Sequence, residues 1–159
     1  MNTSARVLKI LRQAKRLARE YYNLTRRPLG VTGEVAEYEA VRLLRLKLAP
    51  VRQPGFDATR KTSRGVRRFQ IKGRRILADS KPGQRMGSIR LKHEWDAVLL
   101  VVLNSTFDAV AIYQAERAPI RRALIAPGSK ARNERGALSV DKFIAIGKQV
   151  WPPAHRRSR

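Results

Sequence analysis

The chain contains no cysteine among its 159 residues. Disulfides and thiolate metal ligands are therefore excluded, and the absence favours an intracellular, cytoplasmic location. Long apolar runs are also missing. The longest, residues 97–103, has the length of a strand and falls far short of the roughly 20 residues that span a bilayer. We therefore expect no membrane partner.

Acidic residues are scarce: twelve Asp and Glu stand against 35 Lys and Arg, which gives a formal net charge of +23. This excess is larger than solubility requires, and it attracts polyanions. Nucleic acid is therefore the expected partner, with DNA favoured over RNA. A hydrophobic fraction of 43% suits a single domain over residues 1–159.

Hydrophobic periodicity predicts two helices at the start of the chain. Apolar residues recur with a helical period over residues 4–22, while Lys and Arg fill the other positions, which predicts a basic amphipathic helix. A second helix is predicted over 33–46, with Thr32 as its N-cap. An organelle transit peptide would also fit the Arg-rich start, but a helix of the domain explains it equally well.

The rest of the chain predicts a mixed sheet of about five strands flanked by helices, within an α/β fold whose core covers residues 33–114. The first three strands form a meander, a polar loop follows, and the last two strands are separated by a short turn. These elements are predicted at residues 48–52, 56–60 and 66–74 (meander), 76–92 (loop), 97–103 and 107–113 (strands).

The end of the chain predicts helices. Residues 119–125 and 139–150 have helical spacing, and Ser139 is placed to cap the second of them. The C-terminal helical region is therefore predicted over 119–151, and residues 152–159 form a basic tail.

The few acids cluster. Glu34, Glu37 and Glu39 fall in the second predicted helix, and Asp57 is the next acid along the chain. Glu37 shares a helix face with apolar residues and Glu34 lies one turn earlier, so both are expected to point towards the sheet, whereas Glu39 faces Arg42. Acids near a helix N-terminus also interact favourably with the macrodipole, which is a purely structural alternative.

The polar side chains Gln70 and Lys72 lie on one face of a predicted strand, because Phe69 and Ile71 alternate with them. Such alternation alone is typical of any half-buried strand. The order of the features is more informative: a helix with an acid comes first, then "GFD" opens a strand, and a hairpin leads to "QIK" on the next strand.

In this order the sequence resembles the PD-(D/E)xK nuclease superfamily, in particular its Gln-x-Lys branch, which includes Mrr-type restriction enzymes. The resemblance implies a restriction-endonuclease-like core and nuclease activity that depends on Mg²⁺ or Mn²⁺. It implies that Glu37 or Glu34 is the helix acid, Asp57 the main metal ligand, Gln70 the variant ligand and Lys72 the catalytic lysine. The whole chain, including "PGSKARNERGALSVDKF", is also similar to bacterial or phage proteins of that fold, for which the resemblance gives no substrate.

The chemistry of these residues agrees with that role. A hard divalent cation held by oxygen atoms activates water and stabilises charge during phosphodiester hydrolysis. Plausible oxygen ligands are carboxylates of Asp57 and of a helix glutamate, the Gln70 side chain and the Ile71 carbonyl. Lys72 would then lie beside the attacked phosphate, where it stabilises negative charge or orients the water.

The surrounding cations are predicted to contact the phosphate backbone, which positions a polymer without reading its sequence. A solvated cationic surface is the alternative for each of them. These predicted nucleic-acid contacts are Arg60, Lys61, Arg64, Arg67, Arg68, Arg74, Arg75, Lys130, Arg132 and Arg135.

Two other functions fit the same residues. One is a catalytically silent DNA-binding module of the same fold, in which the neutral Gln70 marks a decayed site. The other is a small basic RNA-binding protein whose acid cluster is only structural. The oligomeric state is not encoded in any motif, although cutting both strands of a duplex is simpler for a homodimer.

Overall fold

A six-stranded mixed sheet lies between two layers of helices and loops in the computed structural model, which describes residues 3–26, 29–50, 52–128 and 133–153. Ten helices and strands are named here, in chain order along those residues. They are α1 (Thr3–Thr25), α2 (Thr32–Leu44), β1 (Lys47–Leu48), β2 (Ala58–Thr62), β3 (Gly65–Arg75), β4 (Ala97–Leu103), β5 (Ala109–Glu116), α3 (Arg117–Ile125), α4 (Val140–Ile146) and β6 (Lys148–Trp151).

The strands lie in the sheet in chain order, from β1 to β6. Strands β3 and β4 pair in parallel and every other neighbouring pair is antiparallel. The predicted α/β class is confirmed, and so is the antiparallel order of the first three strands, although β1 ends at Leu48 within the predicted 48–52 and β2 begins at Ala58 instead of residue 56. All seven residues of β4 are buried, as its continuous apolar sequence predicts for a central strand.

The two faces of the sheet carry separate hydrophobic clusters. Phe69 and Ile71 of β3 belong to the cluster beneath α1 and α2, together with Leu99 and Val101 of β4. The alternate positions of β4 belong to the cluster beneath α3, α4 and the segment before β4. Since Gln70 and Lys72 pair in register with those alternate positions, their side chains lie on this second face.

Helix α2 packs unusually close to β3 at Gly73. A Cβ atom at this position would lie 2.6 Å from the Ala36 Cβ and 2.8 Å from the Thr32 carbonyl oxygen. The absence of a side chain therefore sets the distance between α2 and β3. Because Glu37 follows Ala36, this contact also positions the carboxylate of Glu37 relative to the strand that carries Lys72.

The C-terminal prediction is wrong in part. The helix predicted over 139–150 ends at Ile146, and residues 148–151 form β6, which pairs with β5 and gives a sixth strand. The physical reason is that the edge of β5 offers unpaired backbone groups, which a strand satisfies and a helix does not. The predicted Ser139 cap is confirmed, since the Ser139 side chain accepts the Lys142 N–H at 3.2 Å.

Smaller differences concern the ends of other elements. Thr32 is the first residue of α2 rather than its cap, and Val31 at the N-cap makes no side-chain cap bond. The strand predicted over 107–113 begins only at Ala109, because Phe107 lies in the turn with a φ of 61°. The predicted tail falls mostly outside the described residues, from 154 onward.

The connection from β3 to the parallel β4 contains no helix. Its residues 76–96 form turns and irregular backbone, as predicted for 76–92, and they bury Met86, Ile89 and Trp95 in the second hydrophobic cluster. The Arg117 guanidinium donates to the carbonyls of residues 91, 93 and 95 and lies 4.5 Å from the Trp95 ring centroid. One arginine of α3 therefore holds the end of this segment against the sheet.

Among the described residues, no helix is both long and apolar enough to cross a membrane.

Candidate active site

The ladder between β2 and β3 opens at Asp57. The last paired residues are Ala58 and Phe69, and beyond them the Asp57 N–H still donates to the Phe69 carbonyl at 2.8 Å. The Asp57 Oδ2 then accepts the Ile71 N–H at 2.6 Å, in place of the backbone acceptor that a continuing strand would supply. Beyond this point β3 has no pairing with β2, and the Asp57 carboxylate lies at the start of the unpaired stretch; we call this side of β3 the opening.

Gln70 and Ile71 contribute oxygen atoms beside this opening. The Gln70 Nε2 donates to the Gly55 carbonyl at 3.1 Å, while its Oε1 is buried and has no hydrogen-bond partner within the described part of the chain. The N–H and C=O groups of one strand residue point towards the same adjacent strand. Because the Ile71 N–H donates to Asp57, the Ile71 carbonyl also points towards the side of β3 on which Asp57 lies. The buried Oε1 is an acceptor without a donor, which is energetically costly unless a ligand completes it.

Lys72 lies half-buried on the same strand face as Gln70. Burial lowers the pKa of Lys72, the negative charge of Asp57 raises it, and the Arg74 guanidinium lowers it further, with a downward net shift. Lys72 takes part in none of the ion pairs formed between described residues. Its ammonium group is therefore close enough to Asp57 and Glu37 to feel their charge without being neutralised by a direct pair.

Glu37 reaches the same group of charges from α2. Burial raises the pKa of Glu37 to about 7, with further contributions from the negative charges of Asp57 and Glu34, while Lys72 opposes the shift. Such a carboxyl group exchanges its proton near neutral pH, as a general acid or base must. Its burial and its carboxylate neighbours both work against the charged form.

The other two glutamates of α2 play different parts. Glu34 is exposed and acts on Glu37 only through its charge. Glu39 is buried, and its carboxylate pairs with Arg42 at 2.7 Å, as the helical spacing predicts, and with Lys15 of α1 at 3.1 Å. The prediction that Glu34 points towards the sheet is therefore wrong, because Val35 and Ala36 occupy the buried side of this turn and Glu34 lies on its exposed side. Glu37 is the glutamate of α2 whose charge interacts with both Asp57 and Lys72.

Most of the predicted phosphate contacts on β2 and β3 have partners within the protein. Their guanidinium groups bind carbonyl oxygens, bind carboxylates or stack on aromatic rings. The contacts are Arg60 with the Leu44 carbonyl, Arg67 with Glu116, Arg68 with Glu94, Arg74 with the Arg85 carbonyl, and Arg75 between the rings of Tyr22 and Phe107. These arginines stabilise the fold as well as carrying positive charge.

The remaining predicted contacts are exposed or undescribed. Lys61 and Arg64 lie exposed at the tip of the β2–β3 hairpin, and Arg135 is exposed in the region before α4. Lys130 and Arg132 lie outside the described residues. The hairpin tip is therefore an exposed part of the predicted basic surface, and it lies at the opposite end of β2 and β3 from Asp57 and Lys72.

Sequence reasoning missed two glycines that shape the site. Gly55 has a φ of +92° and comes so near to His93 that a Cβ would lie 2.9 Å from the His93 Cβ, so a side chain here would displace the carbonyl that holds Gln70. At Gly87 a Cβ would lie 3.7 Å from the Lys72 Cδ. Both contacts bring residues of the 76–96 segment against the site, and they join parts of the chain that no local pattern connects.

The donor set fits a hard divalent cation such as Mg²⁺ or Mn²⁺. Such ions prefer carboxylate, amide and carbonyl oxygens, and this opening offers Asp57, Glu37, the Gln70 Oε1 and the Ile71 carbonyl. Over the described ranges, no group of three or more His, Asp or Glu side chains is arranged to hold a metal ion. A cation at this site would therefore depend on two carboxylates and on neutral oxygens.

The shifted pKa of Glu37 leads to a testable dependence of stability on pH. Between the ordinary value of 4.5 and about 7, the folded protein keeps a proton that the unfolded chain has lost, so stability falls as the pH rises through this window. Glu37 is partly exposed, and after screening by solvent we expect a loss of about 1 to 2 kcal/mol.

Urea unfolding of the wild type and of Glu37→Gln at about pH 5 and about pH 8 measures this effect. The variant should gain stability relative to the wild type at the higher pH only. Glu34→Gln serves as the matched control on the same helix. It should change the difference in unfolding free energy between the two pH values much less than Glu37→Gln does. An equal difference between Glu37→Gln and the wild type at both pH values would contradict the assignment.

A comparison with protein-family models gives no match to this chain, and a comparison with curated proteins gives none either. The inference of function therefore depends on the residues at the opening beside β3 and on the charge of the chain.

Proposed function

We propose that this protein is a metal-dependent phosphodiesterase acting on nucleic acid, with DNA favoured over RNA as its substrate. One set of contacts carries the proposal: the charges of Glu37, Asp57 and Lys72 interact, the Asp57 carboxylate accepts the Ile71 N–H, and the buried Oε1 of the neighbouring Gln70 has no hydrogen-bond partner among the described residues. The net charge of +23 supports a polyanionic substrate.

Asp57, Glu37, Gln70 and the Ile71 carbonyl would hold Mg²⁺ or Mn²⁺. When bound, the ion supplies positive charge that stabilises the attacked phosphate and lowers the pKa of water. The partnerless Oε1 supports this assignment because a cation would satisfy an otherwise unpaired acceptor. The hydrogen bond from Nε2 to the Gly55 carbonyl fixes the orientation in which Oε1 is free to bind.

The side chains have distinct tasks in the proposed hydrolysis. Water attacks phosphorus, one P–O ester bond breaks, the attacking water gives its proton to bulk water, and the departing oxygen takes up a proton from bulk water. Glu37, whose pKa is raised to about 7, would bind the ion only after losing its own proton. Lys72 stabilises the additional negative charge on the phosphate oxygens, and its partial burial strengthens that interaction.

The exposed cations at the hairpin tip, Lys61 and Arg64, support delivery of a polymer to the site. The ladder of five residue pairs between β2 and β3 separates the tip from Asp57, so a phosphate backbone bound at the tip would have to follow the hairpin to reach the site. Such contacts bind any sequence, and we therefore expect little sequence preference from this surface.

A second function remains a specific alternative. The described residues contain no group of three carboxylate or imidazole side chains arranged around one metal, and this favours weak metal binding. A protein of the same fold that binds DNA without cutting it would share the basic surface and the neutral Gln70. Metal-dependent cleavage separates the two functions directly.

The test is incubation of the purified protein with supercoiled, linear and single-stranded DNA, and with RNA, in Mg²⁺, Mn²⁺ or EDTA. The expected result is cutting in either metal and none in EDTA, with DNA cut faster than RNA. Ca²⁺ is a useful comparison, because it binds oxygen ligands with a looser geometry than Mg²⁺. Stable binding of DNA without cutting in any of these metals would support the silent module.

A further inference from the structure

A cationic cleft separates α1 from α2. Its volume is about 480 Å³, and its wall on the α1 side carries Arg12, Arg16 and Arg19. The opposite wall includes Arg42 and Glu39 of α2, and Asp108 of the β4–β5 turn lies at the rim. The cleft therefore lies in the layer that covers Phe69 and Ile71, on the face of the sheet opposite to Lys72.

The acids of this cleft are already neutralised. Lys15 binds Glu39 at 3.1 Å and Asp108 at 2.9 Å, and Arg42 binds the second oxygen of Glu39 at 2.7 Å. Arg12, Arg16 and Arg19 are exposed, and within the described ranges they form no ion pair. Three like charges thus line one wall with no ion pair to a described acid, and an anion would relieve their mutual repulsion.

The spacing of these three arginines suits a chain of phosphates. Positions 12, 16 and 19 lie on one side of the helix because they are four and three residues apart. The distance from the first to the last is about 10 Å along the helix axis, or roughly three nucleotide steps of 3.4 Å. Ion pairs through Lys15 and the stacking of Arg75 on Tyr22 hold α1 in place, so the row of charges has a fixed position.

We propose that the α1–α2 cleft is a second binding surface for the nucleic-acid backbone, with Arg12, Arg16 and Arg19 as its phosphate contacts. The proposal goes beyond the proposed hydrolysis, since binding here requires no catalysis and lies on the other layer of the sheet. It also assigns a role to the basic residues of α1, which contact none of the groups at the opening beside β3.

An anionic lipid surface is the competing ligand for a basic amphipathic helix. Ile10, Leu17 and Leu24 are exposed on α1 and would favour a membrane. They project from a different side of the helix than the three arginines, which line a concave cleft closed on its far side by α2. A concave wall fits a polymer backbone, whereas a flat bilayer would touch only the outer side of α1.

The test compares two variants that lose the same charge. The cleft variant carries Arg12→Gln, Arg16→Gln and Arg19→Gln, and the control carries Arg121→Gln, Arg122→Gln and Lys142→Gln, three exposed residues of α3 and α4. Fluorescence anisotropy with a labelled DNA duplex over a series of salt concentrations gives the affinity and its salt dependence. Far-UV circular dichroism checks that both variants fold.

We expect the cleft variant to bind at least about tenfold more weakly than the wild type and its log–log salt slope to shrink by about 2 to 3, at roughly 0.9 per lost phosphate contact. Arg16→Gln alone should reduce the slope by about 0.9. The control should change it by less than half of the effect in the cleft variant. Equal losses in both triple variants, or wild-type binding by the cleft variant, would overturn the proposal.

Two further measurements separate this proposal from lipid binding and from the proposed hydrolysis. Vesicles of phosphatidylserine and phosphatidylcholine should bind the cleft variant as they bind the control, and a selective loss of vesicle binding with DNA binding intact would overturn the proposal in favour of lipid. In EDTA, where no hydrolysis is expected, the wild type and the cleft variant should still differ in DNA affinity and in salt slope. If the wild type binds DNA with this salt dependence but cuts none in Mg²⁺ or Mn²⁺, the proposed hydrolysis is disproved and the cleft proposal stands.

Discussion

Lys72→Ala is expected to lower the rate of metal-dependent DNA cleavage about 10²- to 10³-fold while leaving DNA affinity nearly unchanged. The ammonium group stabilises charge that develops only during the reaction, so its removal affects the rate and not the binding of substrate. Lys72 also makes no ion pair with another described residue, and its loss should leave the fold intact. Cleavage of a labelled duplex under single-turnover conditions measures the effect.

Asp57→Asn complements this variant. Asparagine keeps an oxygen that can accept the Ile71 N–H, so the opening beside β3 should persist, but the negative charge that would hold the cation is lost. We expect cleavage to fall by a similar factor, with the free energy of unfolding nearly preserved. Asp57→Ala removes the acceptor as well and should also destabilise the protein by about 1 to 3 kcal/mol.

Lys148→Ala is the control for both variants, because this exposed lysine of β6 is part of neither the site nor the hairpin tip. It should cut DNA at the wild-type rate. If Lys72→Ala and Asp57→Asn retained that rate too, the proposed site would be wrong, and any nuclease activity would belong to other residues or to a contaminant.

Arg117→Ala is expected to give the largest loss of stability, about 2 to 4 kcal/mol in the free energy of unfolding. The guanidinium donates to three carbonyl oxygens of residues 91, 93 and 95 and stacks on Trp95. Alanine leaves these carbonyls without their donor and removes the cation–π contact, which contributes about 0.5 to 2 kcal/mol elsewhere. Urea denaturation of the wild type and the variant gives the difference.

Two comparisons identify the cause of that loss. Arg117→Lys keeps the charge but not the planar fork that reaches several carbonyls, so it should recover less than half of the stability. Arg121→Ala removes an exposed arginine from the same helix and should change stability by no more than about 0.5 kcal/mol. A loss below about 1 kcal/mol for Arg117→Ala would show that the segment before β4 is held mainly by its buried apolar side chains.

Loosening of this segment should also affect the site. Gly87 contacts the stem of Lys72, and His93 lies against Gly55, whose carbonyl holds Gln70. Relative to the wild type, the Arg117→Ala variant should therefore show faster amide hydrogen exchange in residues 85–95. The exchange rates in β4 should change much less. Slower cleavage would accompany this change if the segment positions Gln70 and Lys72 as the contacts indicate.

Much of the fold follows from local patterns. The helical period of α1, α2 and α3, the continuous apolar sequence of β4 and the alternation in β3 are properties of neighbouring residues, and each element was predicted near its observed position. The proximity of Asp57, Gln70 and Lys72 could also be predicted from the sequence. A short hairpin brings β2 and β3 together, and closing such a loop costs little entropy. Local sequence thus indicates the residue types of the proposed metal ligands and of the proposed catalytic lysine.

The errors concern contacts between distant residues. Residues 148–151 form β6 because the edge of β5, more than thirty positions earlier, provides partners for their backbone groups. The pairing of Glu39 with Arg42 was predicted correctly, but its second pairing, with Lys15 of α1 across 24 positions, was not predicted. Neither long-range pairing leaves a signal in the local sequence. Residues 139–150 show only helical spacing, and the residues around Glu39 show only an acid near Arg42.

The strong positive charge, the order of most helices and strands, and the acid–Gln–Lys set could be predicted from the sequence, since they depend on composition and on short-range periodicity. Three features came only from tertiary packing: β2 leaves β3 at Asp57, Glu37 rather than Glu34 lies near Lys72, and the buried Gln70 Oε1 has no hydrogen-bond partner among the described residues. These features depend on how α2 and the segment before β4 pack on the sheet. Burial and electrostatic coupling between distant groups arise only once that packing has formed.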